Sequence, residues 1–320
     1  MAIDEFSLIE RYFRHGVGSG SGVRLGVGDD GALLEVEAGA ELVVTVDTLV
    51  ADLHFPAAAD AADIAQRALR VNLSDLAAMA ATPRWFLLAL TLPEADERWL
   101  AGFAAGLAAA ATAFGVALVG GDTTRGPLAV SITALGTVPA GQALRRSGAA
   151  AGDWVMVTGV LGGAAAALAD MRERGTCRAG SAALDARYWR PEPRLADAEA
   201  LRGLASAAID ISDGLLADLG HLARASGVGA ELMLEALPLH AAAVSRFGVA
   251  RVRQWALGGG DDYELCFTVA PGRGAQLAAL PAAGRAGATR IGQLVPGSGV
   301  RVRDAAGREV PVAEPGFRHF

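Results

Sequence analysis

The chain has 320 residues, enough for two domains or one large one, and its 52% hydrophobic content supplies a core and excludes a disordered chain. A net charge of −7 argues against nucleic-acid binding, which relies on basic faces. The two cysteines, Cys177 and Cys266, form neither a disulfide framework nor a zinc-ligand spacing, and read as buried or free thiols of a reducing cytoplasm. Met1 to Arg14 predicts an amphipathic helix, with Ile3, Phe6, Leu8, Ile9 and Phe13 set among acids and arginines, and no secretory signal is visible. Gly16 to Gly22 reads as a loop, Leu42 to Val46 as a strand, and Ala61 to Ala80 as a helix. Trp85 to Leu92 predicts a strand, and Pro93 to Phe114 a helix with acids in its first turn, where the helix dipole favours them.

From Trp99 to Gly121 no charge occurs, a length that imitates a membrane span. Ala and Gly dominate that run, however, and Gly115 breaks it. The expectation is a buried helix followed by a core strand, Val116 to Val119, and no membrane association. Leu128 to Val138 predicts a further strand. The pattern then breaks at Pro139-Ala140-Gly141 and Arg145-Arg146-Ser147-Gly148, so a domain boundary is expected within 140–152, dividing 1–145 from 146–320. The second half opens with a strand, Trp154 to Thr158, then a Gly159-Val160-Leu161-Gly162-Gly163 turn and an Ala-rich helix. Such a turn can bind phosphate at the helix N-terminus, but this one matches no phosphate fingerprint, and close packing is the expected role. Arg190-Pro191-Glu192-Pro193-Arg194 reads as a turn before a helix, Leu215 to Ala225 as a helix, and Leu265 to Val269 as a strand. The Pro- and Gly-broken tail, Val310 to Phe320, ends in aromatics.

Six Asp-bearing motifs beside Gly, Ser or Thr carry the chemistry: Gly28-Asp29-Asp30, Thr45-Val46-Asp47, Asn72-Leu73-Ser74-Asp75, Gly120-Gly121-Asp122-Thr123-Thr124, Asp210-Ile211-Ser212-Asp213-Gly214 and Gly260-Asp261-Asp262-Tyr263-Glu264. Several follow apolar runs, placing carboxylates and small-residue turns at strand ends, where hard cations are held. Mg²⁺ prefers oxygen ligands and works beside substrate phosphates. Singly, each motif has an ordinary explanation. Gly28-Asp29-Asp30 is also turn chemistry, Ser74-Asp75 also a helix cap, and Asp261 to Glu264 also a solvated turn. Together, without a His or Cys ligand spacing, they point to a carboxylate-rich Mg²⁺–phosphate site.

The ordered motifs resemble the thiamine-monophosphate kinase family, within the aminoimidazole-ribonucleotide-synthetase-like superfamily. The matching stretches are Gly-Val-Gly-Asp-Asp at 26–30, Val-Thr-Val-Asp-Thr-Leu-Val at 44–50, His54-Phe55, and Val-Asn-Leu-Ser-Asp-Leu-Ala-Ala-Met at 71–79. They continue with Gly-Gly-Asp-Thr-Thr at 120–124, Arg146-Ser147-Gly148, Ile-Asp-Ile-Ser-Asp-Gly-Leu at 209–215, and Asp-Tyr-Glu-Leu at 262–265. The resemblance implies a two-domain α/β (α+β) PurM-like fold and a homodimer whose N-terminal strands pair into an interface barrel. It implies an N-terminal ATP- and Mg-binding domain and a C-terminal domain closing the active site. The implied activity is ATP-dependent phosphorylation of thiamine monophosphate in the cytoplasm. By motif, the resemblance implies Asp30, Thr45, Asp47, Asp75, Asp122, Asp210 and Asp213 as the shell for several Mg²⁺ ions. Asp29 assists that shell or orients its turn. Gly121, Asp122, Arg146 and Ser212 are implied for ATP, and His54, Asp261 and Phe317 for the substrate. Asp261 stands where relatives usually carry Glu. Another superfamily member acting on a different acceptor, or a non-catalytic thiamine-phosphate carrier, would share part of this pattern. Selenophosphate synthesis wants an N-terminal Cys, and none precedes Cys177; a carrier would not need the full set of acids.

Overall fold

The computed structural model describes residues 5–14, 21–278, 287–312 and 316–317. Ile3 of the expected N-terminal helix, Gly16 to Gly20 of the expected loop, and residues 313–315 and 318–320 of the tail lie outside them. The chain divides into two compact units, one of Met1–Leu76 with Ala81–Gly141, the other of Ala77–Ala80 with Gln142–Phe320.

The first unit begins with helix α1 (Glu5–Tyr12) and a two-stranded antiparallel pair, β1 (Val23–Leu25) and β2 (Leu33–Leu34). Strand β3 (Ala40–Val50), helix α2 (Ala61–Ala78), strand β4 (Thr82–Leu92), helix α3 (Glu97–Phe114) and strands β5 (Ala117–Arg125) and β6 (Ala129–Pro139) follow. The four long strands form one sheet in the order β3-β6-β4-β5. Only β4 and β5 run parallel, and α3 makes the crossover between them. Helix α3 explains the uncharged run. Asp96 caps its start by accepting from the backbone N–H of Arg98 and Trp99, and Gly115 ends it in the left-handed region. A Cβ on Gly106 would lie 2.3 Å from the carbonyl oxygen of Ala62, so small residues serve close packing of α3 on α2. Among the described residues no helix is long and apolar enough to cross a membrane.

The second unit contains β7 (Trp154–Thr158), α4 (Gly163–Arg174), α5 (Ala182–Trp189), α6 (Leu195–Leu201), β8 (Ala207–Asp210), α7 (Leu215–Ser226) and β9 (Gly229–Met233). It continues with α8 (Ala241–Phe247), α9 (Val249–Gly258), β10 (Leu265–Val269), α10 (Gly274–Ala278), β11 (Ala288–Val295) and β12 (Val300–Arg303). Its six strands are ordered β12-β9-β11-β7-β10-β8, and only β12 and β9 are parallel. Val155, Val157, Ile209, Leu219, Leu222 and Ile291 lie in its core. Cys266 is buried on β10 and neither cysteine forms a disulfide; burial pushes the Cys266 thiol up, which leaves it inert.

Two strands are longer than their sequence suggests. Leu42 to Val46 grows to eleven residues in β3, and the Gly120 to Thr124 motif continues β5 instead of ending it. Isolated propensity disfavours Asp and Gly within a strand, but β3 pairs with β6 along its whole length, from Ala40 opposite Pro139 to Val50 opposite Ala129. The acids of these two motifs therefore sit within strands, not in turns beyond them.

Candidate active site

In the first unit the expected ligands fall into two groups. The first joins β3 to α2. The Thr45 hydroxyl donates to Asp75 Oδ2 at 2.6 Å, and the Asp47 backbone N–H donates to Asn72 Oδ1 at 3.0 Å. Asn72 is itself oriented, because its Nδ2 donates to the Ala68 carbonyl at 2.9 Å. Asn72 and Asp75 are three apart on α2 and so share a face. Ser74 and Asp75 lie inside the helix, which removes the capping explanation for them.

The second group is Asp29, Asp30 and Asp122. They line one groove of about 830 Å³ together with Ile9, Phe13 and Leu135. Asp29 Oδ1 accepts from the Asp30 N–H at 2.9 Å, so Asp29 does orient its turn. Gly121 has φ of +150°, and a Cβ there would stand 1.9 Å from the Leu88 carbonyl oxygen, so only glycine lets β5 pass. The register separates the two groups. Asp47 lies opposite Ile132, which lies opposite Leu88 and then Gly121, whereas Asp122 shares the next row with Ala89, Ser131 and Thr48. Successive rows alternate between faces, so the sheet does not bring Asp47 and Asp122 side by side.

His54 belongs to the turn after β3. Its Nδ1 accepts from the Val50 N–H at 2.9 Å, which puts the proton of the neutral ring on Nε2.

In the second unit one loop gathers the expected residues. Asp210 ends β8, buried and opposite Leu265. The Ser212 carbonyl accepts from the Asp261 N–H at 2.8 Å, and the Asp213 carbonyl from the Phe317 N–H at 2.9 Å. Asp210, Ser212, Asp213, Asp261 and Phe317 thus meet around a single turn, with Phe317 45% exposed. Asp261 and Tyr263 both have positive φ, 61° and 49°, a costly conformation for a tyrosine. Hydrogen bonds hold it: Tyr263 N–H to the Ile211 carbonyl at 2.8 Å, and the Tyr263 hydroxyl to Asp261 Oδ1 at 3.1 Å. Arg146 is exposed, and its guanidinium has no ion-pair partner among the described residues.

The solvated-turn reading of Asp261 to Glu264 fails for two of its acids. Asp262 and Glu264 are buried. Glu264 accepts from the Thr158 hydroxyl at 2.7 Å, from Arg187 at 3.0 Å, and from two nitrogens of Arg194 at 2.5 Å each. Asp262 accepts from the Gly162 N–H at 2.9 Å, and Arg187 also donates to the Asp262 carbonyl at 2.8 Å. Burial raises the Asp262 carboxyl to about 7, although Arg187 pulls it down. The Gly159 to Gly163 turn is a packing device, because a Cβ on Gly159 would lie 2.3 Å from Glu264 Oε1 and the Gly162 N–H is already occupied by Asp262. Sequence reasoning also passed over Asp218, whose Oδ2 accepts from the N–H groups of Ser212, Asp213 and Gly214 at 3.1 Å each. Its signal was an acid in the first turn of α7. Burial, then repulsion from Asp213, raises the Asp218 carboxyl to about 7 against the pull of those three N–H groups.

Among the described residues no three His, Cys, Asp or Glu side chains are grouped so as to hold a metal ion. The donors are still the right kind for Mg²⁺, which is commonly held by one or two carboxylates together with substrate phosphates and water, not by an all-protein cage. The Thr45–Asp75 pair and the Asp29, Asp30 and Asp122 groove are hard-oxygen sets of that description.

Comparison places this arrangement in a known class. Residues 28–138 match the AIR synthase related protein N-terminal domain, and 150–305 the corresponding C-terminal domain, so this is a two-domain α/β protein of that class. The thiamine-monophosphate kinase of Salmonella typhimurium is 51% identical over 271 residues, 84% of this chain and 83% of that protein. The crystal structure of the thiamine-monophosphate kinase from Stenotrophomonas maltophilia K279a is 45% identical, with a TM-score of 0.82 over 97% of this chain and 99% of that one. The structure of AaThiL complexed with AMPPCP and TMP is 31% identical, with a TM-score of 0.78 over 92% of each chain. The chain belongs to the thiamine-monophosphate kinase family of enzymes.

Proposed function

We propose that the chain transfers the γ-phosphoryl group of ATP directly to the phosphate of thiamine monophosphate, giving thiamine diphosphate, as a cytoplasmic biosynthetic enzyme. The observation that carries this reading is the 31%-identical relative that binds AMPPCP and TMP together over a matching 92% of its chain. The chemistry suits the residues. A phosphomonoester has a second pKa of about 6, so the acceptor is mostly dianionic at neutral pH and needs no general base. The problem left to the protein is holding two anions in line.

The assigned roles follow. Asp30, Thr45, Asp47, Asp75, Asp122, Asp210 and Asp213 would hold several Mg²⁺ ions, with Asp29 fixing the turn of Asp30. The ions, when bound, supply charge neutralisation of the phosphates. Gly121, Asp122, Arg146 and Ser212 bind ATP, Gly121 by letting β5 pass β4 so that Asp122 is presented, and Arg146 through an exposed guanidinium suited to phosphate. His54 and Asp261 contact thiamine monophosphate, and the exposed Phe317 ring faces its cationic thiazolium. The ATP- and metal-binding function is assigned to residues 1–145 and active-site closure to residues 146–320.

The same reading includes a homodimer built on N-terminal strands. Strand β3 is a sheet edge, and Leu42, Val44 and Val46 alternate along it with 45%, 55% and 61% of their surfaces exposed. An apolar edge strand of this length calls for a partner. Product analysis with γ-labelled ATP tests the activity: label should enter thiamine diphosphate from thiamine monophosphate, with no transfer to thiamine or to aminoimidazole precursors. Equal turnover of free thiamine would overturn it.

A further inference from the structure

We infer that Asp218 is a positioning residue for phosphoryl transfer, the fixed point on which the 210–214 loop is built; this rests on the function proposed above. Asp218 is 3% exposed, and a single oxygen, Oδ2, collects three consecutive backbone N–H groups, those of Ser212, Asp213 and Gly214, each at 3.1 Å. Converging N–H groups of this kind ordinarily form an anion-binding nest. Here the anion is internal. The loop amides are therefore committed to the protein, and the contribution of Ser212 to nucleotide binding falls to its side chain.

With the N–H groups turned inward, the loop carbonyls turn outward, and two of them carry the residues assigned to thiamine monophosphate. The Ser212 carbonyl holds the Asp261 N–H at 2.8 Å, and the Asp213 carbonyl holds the Phe317 N–H at 2.9 Å. Close backbone approaches lock the same loop. A Cβ on Gly214 would lie 2.9 Å from Gly258, and one on Gly260 would lie 2.8 Å from the Ser212 carbonyl oxygen. Displacing Asp218 would therefore shift the metal and nucleotide residues Asp210, Ser212 and Asp213 together with Asp261 and Phe317. Asp218 touches none of the reacting groups itself.

The test uses the full-length chain and three variants, Asp218→Ala, Asp218→Glu and Asp218→Asn, with steady-state kinetics for ATP and thiamine monophosphate beside amide hydrogen exchange. Asp218→Ala should lower kcat by about 100-fold, the loss that a misplacement of about 1 Å produces. It should also deprotect the amides of Ser212, Asp213, Gly214, Asp261 and Phe317 together while leaving the β3–β6 ladder unchanged. Asp218→Asn keeps an acceptor oxygen and should recover at least about tenfold of that loss, the rescue expected if the hydrogen bonds position the loop. Asp218→Glu keeps the carboxyl group but moves the oxygen by one methylene, and the folded variant should still lose kcat by about tenfold or more. If Asp218→Ala does not fold, Asp218→Glu decides. A folded Ala or Glu variant with kcat within threefold of wild type, or an Asn variant no better than Ala, overturns the inference. A wild-type chain inactive on thiamine monophosphate would instead overturn the function. The exchange pattern then decides the role of Asp218, and unchanged protection at 212–214 overturns it.

Discussion

Replacing Glu264 by Gln should unfold the sheet of the second unit far more readily than its near-identical shape suggests. Glu264 is completely buried and serves two guanidinium groups, Arg187 and Arg194, whose side chains are only 13% and 15% exposed. Glutamine keeps one carbonyl acceptor, but its amide NH₂ would face a guanidinium donor, and two nearly buried cations would lose the carboxylate they share. Removing one partner of a buried pair costs about 3–5 kcal/mol. Sharing of this carboxylate by two arginines argues for the upper part of that range. A domain commonly holds only about 5–15 kcal/mol in total. With two compact units a single unfolding midpoint is ill-defined, so hydrogen exchange at the β8 and β10 amides is the suitable assay. Since about 1.4 kcal/mol is tenfold, protection there should fall by roughly 100-fold to several thousand-fold, with β3 and β6 in the first unit unaffected. Arg194→Met added to Glu264→Gln should restore part of the loss, because one stranded cation is removed. Protection of β10 within threefold of wild type in Glu264→Gln would refute the reasoning.

Asp262 gives a pH signature of the opposite sign to that of an ordinary salt-bridged acid. Its folded pKa, raised to about 7 by burial, exceeds the unfolded value, so the folded state keeps a proton that the unfolded state releases. Its stability contribution is intact below about pH 4 and declines as pH rises to about 7; Asp262→Asn lacks that decline, and hydrogen exchange at the β10 amides, corrected for the intrinsic pH dependence, should favour the variant by roughly 3 kcal/mol at pH 7 relative to pH 4. The same change in protection between the two pH values in wild type and variant would count against it. Asp→Asn at Asp47, Asp75, Asp122 or Asp210 should leave the fold intact and lower kcat by about 100-fold or more; near-wild-type turnover of the folded variants at saturating Mg²⁺ would remove them from the metal shell. Phe317→Ala and Asp261→Ala should weaken thiamine monophosphate more than ATP, and for Phe317 a cation–π contact of about 0.5–2 kcal/mol corresponds to a roughly two- to thirty-fold rise in Kd. Unchanged affinity for thiamine monophosphate in Phe317→Ala would return Phe317 to a packing role.

Local chemistry made much of this protein readable before its structure. The Ala- and Gly-rich run became α3 because Gly115 could only end it and Gly106 had to meet Ala62. The Gly159 to Gly163 turn was correctly read as a packing element, though the partner that requires Gly159, the Glu264 carboxylate, lies 105 positions along the chain and was not visible. Burial of Asp262 and Glu264 was illegible for the same reason. Their arginines stand 75 and 70 residues away, and only the fold supplies them. Strand length failed where ladder pairing overrides the low strand preference of Asp and Gly. The six motifs named candidate residues, but not their grouping. That depends on strand register, which separates Asp47 from Asp122, and on α2, which brings Asp75 to Thr45. Asp218 looked like a common first-turn acid until three N–H groups were found on one of its oxygens.

The claim at the centre of this account is a single direct transfer between two phosphates, with no protein group taking the phosphoryl group in between. The most direct measurement uses ATP made chiral at the γ-phosphorus with oxygen isotopes, thiamine monophosphate as acceptor, and stereochemical analysis of the terminal phosphorus of thiamine diphosphate. One in-line displacement inverts that centre, and inversion is the predicted result. Net retention would require two displacements through a phosphorylated enzyme and would contradict the account.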